Sequence, residues 1–308
     1  MSIQLTFLGT GSGKPMPRRN VSSMALFRDG ELFLFDCGEA TQIQLTRSDL
    51  RPGAIQAIFL THFHGDHVNG LPGLLGSLAL NRREEPLVVV GPRGLKKWLR
   101  CLHDLHILRT AFTVHVVEIH EPGQTVFSGD GYRVEAHPLN HRVETWGYAF
   151  LEDERPGRFD LDRARQLHIP PGPLFGRLQR GESITLDDGR AISPTDVLGP
   201  SRPGLKIAYC TDTIPCPEAL RLAEDADVLI HDSTYPGGEE AHAQSRGHST
   251  SADAARCALA ARARRLILTH FSQKHLHLND FLHTARAIFP STEAARDLAT
   301  FEVQRRES

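Results

Sequence analysis

Residues 61–67 read Thr-His-Phe-His-Gly-Asp-His, three imidazoles and a carboxylate directly after the apolar run Ala57-Ile58-Phe59-Leu60. His62 and His64 are two apart, so on an extended backbone both rings project to one side, as two ligands of one ion must. The chain turns at Gly65, which lets Asp66 and His67 face a second ion, and two-metal hydrolytic sites hold their ions roughly 3.5–4 Å apart. With 17 histidines in 308 residues, any single one is most simply a surface or core group. Clustered ligand-type side chains at a strand end are instead the pattern of a dinuclear metal loop.

Two ions need more ligands than one loop supplies, so later strand ends must provide them. His141 follows the strand Tyr132–His137, Asp212 ends Ile207-Ala208-Tyr209-Cys210-Thr211, and His270 ends Leu266-Ile267-Leu268-Thr269. His137, His231 and Asp232 also sit near strand ends, where a buried histidine or a turn-forming aspartate is the simpler explanation. With His62, His64 and His141 on one zinc, Asp66, His67 and His270 on the other, Asp212 bridging and a hydroxide between the ions, the site keeps a net charge of about +1 and attracts an anion. A phosphodiester fits that balance, and a neutral ester or amide remains open.

Gly247-His248-Ser249-Thr250 adds a further group. Ser249, Thr250 or Ser251 can cap the helix that follows, which puts His248 at an N-terminal end suited to phosphate. His248 is then a proton donor or transition-state contact, or simply an exposed histidine before a cap. Gly9-Thr10-Gly11-Ser12-Gly13 brings backbone close to something, but no helical pattern follows, so it is not a dinucleotide fingerprint.

The elements that must position these groups are legible as alternation and period. Strands are predicted over 3–9, 23–28 and 31–36, the last two a hairpin around Asp29-Gly30, and over 54–61, leading through the metal loop into a helix near 68–81. A strand at 86–91, a helix near 94–106 and strands near 112–120, 124–128, 132–137 and 146–151 follow. From 205 onward strands and helices alternate: a strand at 205–209, a helix near 217–224, a strand at 228–231, the helix capped around 249–251, a strand at 265–269 and a helix near 279–288. Hairpins followed by alternating units predict an α/β fold, two sheets face to face with helices outside.

Length and composition allow one large α/β domain or two small ones, with 40% hydrophobic and 23% charged residues and no apolar run approaching the roughly 18 residues of a membrane span. The start, Met-Ser-Ile-Gln-Leu-Thr-Phe-Leu, has no basic leader, and a cytoplasmic protein is expected. The five cysteines are odd in number and widely spaced, which fits reduced thiols; Cys210, near Asp212, reads as a small buried hydrophobe. Net charge is only −2, yet between Arg155 and Arg180 six arginines face two aspartates, a local +4 that suits phosphates. That segment lies within 153–203, which has seven prolines, six glycines and no clear period; a solvated linker between domains is one reading, and a protruding arm is the expectation, because the chain returns afterwards to a strand with another acidic ligand candidate, Asp212.

Several segments together resemble the metallo-β-lactamase superfamily and, within it, the ribonuclease Z family, which removes 3′ trailers from precursor tRNA. They are Phe7-Leu8-Gly9-Thr10-Gly11-Ser12-Gly13, Pro17-Arg18-Arg19-Asn20, Phe35-Asp36-Cys37-Gly38-Glu39-Ala40-Thr41-Gln42, the metal loop, Pro138-Leu139-Asn140-His141, Tyr209-Cys210-Thr211-Asp212-Thr213, the His248 motif and Leu268-Thr269-His270-Phe271-Ser272. The resemblance implies an αββα four-layer sandwich over 1–308, one domain with a protruding, flexible exosite arm inserted at about 153–203. It implies two Zn²⁺ per subunit on His62, His64, Asp66, His67, His141, Asp212 and His270, with Asp66 also accepting the proton of the attacking water. His248 would be proton donor or phosphate contact, and the arm would grip precursor tRNA away from the cut, in a homodimer where one subunit's arm serves the other's site. A metal-bridging hydroxide would leave a 3′-hydroxyl on the tRNA. Ala40 departs from the family pattern, which usually has glycine there. The rivals are another hydrolase of the fold (a small phosphodiesterase, lactonase or thioesterase) and an RNA-binding protein with a structural metal.

Overall fold

The computed structural model describes residues 3–305, which divide into two compact units. The larger runs to Leu151 and resumes over Lys206–Arg305; the smaller is Glu152–Leu205. In chain order the larger unit opens with β1 (Ile3–Gly9), β2 (Ser23–Arg28), β3 (Glu31–Phe35), α1 (Thr41–Arg47), β4 (Ile55–Phe59), α2 (Gly65–Val68), α3 (Leu71–Leu80), β5 (Leu87–Gly91), α4 (Leu95–Asp104) and β6 (Val114–Glu118). It continues through β7 (Gln124–Gly129), β8 (Tyr132–Leu139) and β9 (Thr145–Glu152). The smaller unit holds α5 (Leu161–Gln166), α6 (Pro173–Gln179), β10 (Ile184–Thr185) and β11 (Ala191–Ile192). The chain then runs through β12 (Lys206–Cys210), α7 (Pro217–Ala223), β13 (Val228–Asp232), α8 (Glu240–Arg246), α9 (Ser251–Ala260), β14 (Leu266–Thr269), α10 (Asn279–Ile288), β15 (Thr292–Ala294) and β16 (Thr300–Val303). Among the described residues no helix is long and apolar enough to cross a membrane.

Two seven-stranded sheets carry the larger unit, in the orders β16-β1-β2-β3-β4-β5-β6 and β15-β14-β13-β12-β9-β8-β7. Side-chain alternation decides what each face meets. On β3, Phe33 and Phe35 point at the other sheet, where Phe33 meets Phe150 at 5.7 Å and Phe35 meets Tyr148 at 6.0 Å and Tyr209 at 5.4 Å. Leu32 and Leu34 point the other way, into a cluster with Leu45 of α1, Leu71, Leu74, Leu75 and Leu78 of α3, and Leu95 and Leu99 of α4. The second sheet repeats the arrangement: Ala208, Cys210, Leu229 and Leu268 face Leu222 of α7, Ala254 and Ala258 of α9, and Phe281 of α10. Four layers result, helix, sheet, sheet and helix, with aromatic rings filling the gap between sheets. Cys210 lies within the helix-side cluster, a buried hydrophobe as expected.

Strand direction decides where the loops gather. β3, β4 and β5 run parallel, as do β12, β13 and β14, while β9 is antiparallel to both β12 and β8. β8 therefore runs the same way as β12, and its C-terminal end opens on the same edge. Three residues leave these strands in the left-handed region, Asp36 at φ 60°, Asp212 at φ 54° and His270 at φ 62°. Aspartate and histidine tolerate that conformation better than most side chains, and such strain concentrates where geometry is functionally fixed. Ala40 is also left-handed, at φ 64°, as it opens α1, which is a physical reason for glycine to be favoured there.

The segment expected as an inserted arm forms a compact unit. It has its own core of Ala164, Ile169, Leu178, Ile184, Leu186, Ile192 and Val197, with the Phe159 and Phe175 rings tilted against each other at 4.7 Å. Asp160 caps α5 by accepting from the Arg163 amide at 2.8 Å. Its two helices have six and seven residues and its two strands two each, too short for a period to emerge between the prolines and glycines. The local +4 is also balanced within the unit: eight arginines meet nine carboxylates across Glu152–Leu205. Arg165 pairs with Asp162 at 3.0 Å, and Arg177 and Arg180 share Glu182 at 3.0 and 3.1 Å.

Candidate metal centre

The seven predicted ligands converge at the C-terminal edge of both sheets. His62 leaves β4, and Gly65 turns the chain into α2, whose first turn carries Asp66 and His67. This loop is clamped to the one after β3 by backbone bonds from Cys37 N to His67 O at 2.8 Å and from Gly70 N to Cys37 O at 2.9 Å. A Cβ on Gly38 or Gly70 would overlap the facing carbonyl, so only glycines allow the approach. His141, Asp212 and His270 then arrive from β8, β12 and β14.

Two donor groups form. His62 Nε2 lies 2.9 Å from His64 Nδ1, which lies 3.3 Å from His141 Nε2, and Asp212 Oδ2 is 3.6 Å from His62 and 3.8 Å from His141. In the second group His67 Nε2 and His270 Nε2 are 3.2 Å apart, Asp66 Oδ2 is 3.7 and 3.5 Å from them, and Asp212 Oδ1 is 3.3 and 3.2 Å from them. A tetrahedral ion with bonds of about 2.1 Å has donor-to-donor edges of about 3.4 Å, so both groups have the spacing of a coordination shell, with one Asp212 oxygen in each.

The outward nitrogens fix how the rings face. His67 Nδ1 donates to Asp36 Oδ2 at 2.7 Å, and His141 Nδ1 donates to the Gly247 carbonyl at 2.6 Å. Thr61 Oγ1 gives its proton to Asp36 Oδ1 at 2.9 Å and so accepts from His62 Nδ1 at 2.9 Å. Thr234 Oγ1 gives its proton to Asp232 Oδ1 at 2.7 Å and accepts from His270 Nδ1 at 3.0 Å. Four rings therefore turn Nε2 inward, the orientation that partners behind metal-bound histidines enforce. Asp212 Oδ1 is buried with no hydrogen-bond partner among the described residues, a deficit that a cation between the groups would remove.

Electrostatics agree. Burial opposes the Asp212 charge, yet His270, His67 and His62 hold its carboxyl well below the usual range. Burial likewise lowers His270, but Asp212 and its neighbours more than offset this and push it up to about 10; His67 is raised the same way by Asp212, Asp36 and Asp66. His62, His64 and His141 are shifted down, by burial first. The carboxylate-rich half attracts positive charge, for which protons and metal compete.

His248 stands beside the cluster, its Nδ1 bonded to Asp232 Oδ2 at 3.0 Å and its ring lining a cavity of about 450 Å³ with Asp66, Asp212 and His270. Arg142, Arg246, Lys274 and Tyr235 complete that wall. The phosphate site expected at the N-terminus of α9 is not open. Thr250 is the N-cap, and the nearby amides are already bound: Ser249 to Asp232, Ser251 to the Tyr235 carbonyl and Asp253 to Thr250. His137 and His231 stay outside the cluster, the former near Glu135 and the latter bonded to the Asp232 carbonyl.

Sequence reasoning assigned no role to Asp36 and only a turn to Asp232, yet these two buried carboxylates orient His67, His62, His270 and His248. Asp36 carried a usable signal: like Asp212 it stands at the end of an apolar β-run, before a small residue. Asp36→Asn is expected to lower metal affinity and turnover by about 10–100-fold. Metal content by mass spectrometry and turnover should fall together, and an unchanged pair of values would remove the orienting role.

Comparison with known proteins supplies the family. Residues 3–155 match the family described as Anti-Pycsar protein Apyc1, and residues 179–271 match the Beta-lactamase superfamily domain. The Ribonuclease Z of Acaryochloris marina is 49% identical over 99% of this chain and 98% of its own length, and that of a Nostoc species is 45% identical over 99% and 96%. Among solved structures, the short form of human tRNase Z is 28% identical, with a TM-score of 0.71 over 98% of this chain and 99% of that one. The chain belongs to the ribonuclease Z family and is an endoribonuclease of the metallo-β-lactamase fold.

Proposed function

We propose that this centre performs the family's endonucleolytic cut, removing the 3′ trailer from precursor tRNA, with zinc on His62, His64, His141 and Asp212 and again on Asp66, His67, His270 and Asp212. The observation that carries the reading is the set of inward-facing imidazole nitrogens converging on a buried Asp212 oxygen that lacks a hydrogen-bond partner among the described residues. Mixed nitrogen and carboxylate donors in fours suit zinc. When bound, such ions offset phosphate charge and bring the pKa of water to near 7.

The protein's own groups do the rest. Asp66, steadied by the Gly13 amide on Oδ2 at 2.6 Å, accepts the proton of the attacking water. The water oxygen joins phosphorus as the bond to the 3′ oxygen breaks. His248, with Nδ1 tied to Asp232 and its ring in the cavity, donates its Nε2 proton to that departing oxygen. The tRNA keeps a 3′-hydroxyl and the trailer a 5′-phosphate, while Arg142, Arg246 and Lys274 balance phosphate charge at the cavity wall. The test is incubation of the purified protein with a 3′-extended tRNA, with and without a chelator, and mapping of both product ends. His248→Ala should lower kcat by about 10²-fold with KM little changed; a KM effect alone would reassign His248 to binding.

The unit Glu152–Leu205 is proposed as the exosite for the tRNA body, and the working form as a homodimer, which light scattering would measure. Five free cysteines among the described residues support a reducing, cytoplasmic setting, where precursor tRNA is found.

A further inference from the structure

Positive charge gathers on a helix of the larger unit. α4 buries Leu95 and Leu99 and turns Lys96, Lys97 and Arg100 outward, with Arg93 just before it and no acidic residue from Arg93 to His103. Lys96 and Arg100 succeed each other at about one helical pitch of 5.4 Å, with Lys97 beside them. Among the described residues neither Lys97 nor Arg100 makes an ion pair, whereas Arg165, Arg177, Arg180 and Arg190 of the smaller unit are all paired. Glu118 of β6 is the nearby carboxylate, and it accepts from the Gly94 and Lys96 amides at 2.8 and 3.1 Å, directed at the start of the helix.

This helix begins at the metal loop. Phe63 separates His62 and His64, and since both rings turn inward the intervening side chain turns outward. It is 37% exposed and meets Trp98 of α4 edge-on at 5.9 Å. An exposed aromatic ring beside a row of unpaired cations is the combination that binds an RNA strand: rings stack bases at about 1–3 kcal/mol each, and cations follow the backbone.

We propose that the outer face of α4, with Phe63 at its inner end, is a second RNA-binding surface that holds the substrate strand next to the cleavage site. Phe63 stacks a base and Arg93, Lys96, Lys97 and Arg100 follow the phosphates. This rests on the reading of the chain as a precursor-tRNA nuclease. The charge selects a polyanion, the repeat along the helix selects an extended strand over a single ion, and contact with the metal loop places that strand beside the scissile bond.

The test is the triple variant Lys96→Gln, Lys97→Gln, Arg100→Gln in the full, metal-loaded chain. Its affinity for a 3′-extended tRNA with a non-hydrolysable linkage at the cleavage position is read by fluorescence anisotropy across a salt series. At about 50 mM salt the Kd should rise about tenfold, and the slope of log affinity against log salt should become shallower by about 2. Hydrolysis of bis(p-nitrophenyl) phosphate should stay at the wild-type level, and Lys96→Arg, Lys97→Arg, Arg100→Lys should restore RNA affinity. Unchanged Kd and slope in a triple variant that still hydrolyses the small ester would overturn the surface. If binding falls as expected while neither protein cuts the natural precursor, the surface stands and the nuclease reading falls.

Discussion

Asp212→Ala should abolish trailer removal for practical purposes, with single-turnover cleavage falling by about 10⁴-fold, close to 5.5 kcal/mol of transition-state stabilisation. Asp212 places one oxygen in each donor group, at 3.2–3.3 Å from His270 and His67 and at 3.6–3.8 Å from His62 and His141. No other side chain belongs to both groups in this way, so one substitution weakens both. Its buried charge would also balance cations bound there, and removing it would leave them uncompensated. The check is metal content per chain alongside cleavage. A variant that keeps two ions and most of its activity would show that Asp212 does not bridge.

Excising the smaller unit should separate substrate recognition from chemistry. Arg155 and Arg202 close its base with reciprocal backbone bonds of 2.8 Å, and Gly157 and Gly199 lie against each other just beyond. A short glycine linker from Arg155 to Arg202 therefore spans a gap already closed in the native chain. Because the excised residues have their own core, the larger unit loses none of its clusters. We expect kcat/KM on precursor tRNA to fall by about 10³-fold or more, while hydrolysis of bis(p-nitrophenyl) phosphate stays within about twofold. An equal loss on both substrates would place the unit's role in stability instead.

Much of the larger unit was legible because its strands alternate cleanly and its helices repeat leucine or alanine at 3.6 spacing. The helix predicted at 279–288 is α10, and the hairpin around Asp29-Gly30 has both turn residues at positive φ. Other elements escaped. α1 is polar apart from Ile43 and Leu45 and opens on a left-handed alanine, and α8 buries only Ala243. The helix expected near 68–81 is α3, and the short α2 just before it, ending at Val68, escaped. The ligand candidates were visible because each is a chemically distinctive residue at the end of an apolar run. Asp36 and Asp232 were harder, since a carboxylate that works through a neighbouring ring is recognised by distance, and distance is settled only when two sheets dock.

The centre draws on both halves of the chain, its loop after β4 early and His270 after β14 some two hundred residues later. A nascent polypeptide therefore exposes a histidine-rich loop long before it has a functioning nuclease. Until β14 joins the second sheet, the growing protein is chemically harmless to the transcripts around its ribosome, and premature termination yields an inert fragment instead of an unregulated RNA-cutting one.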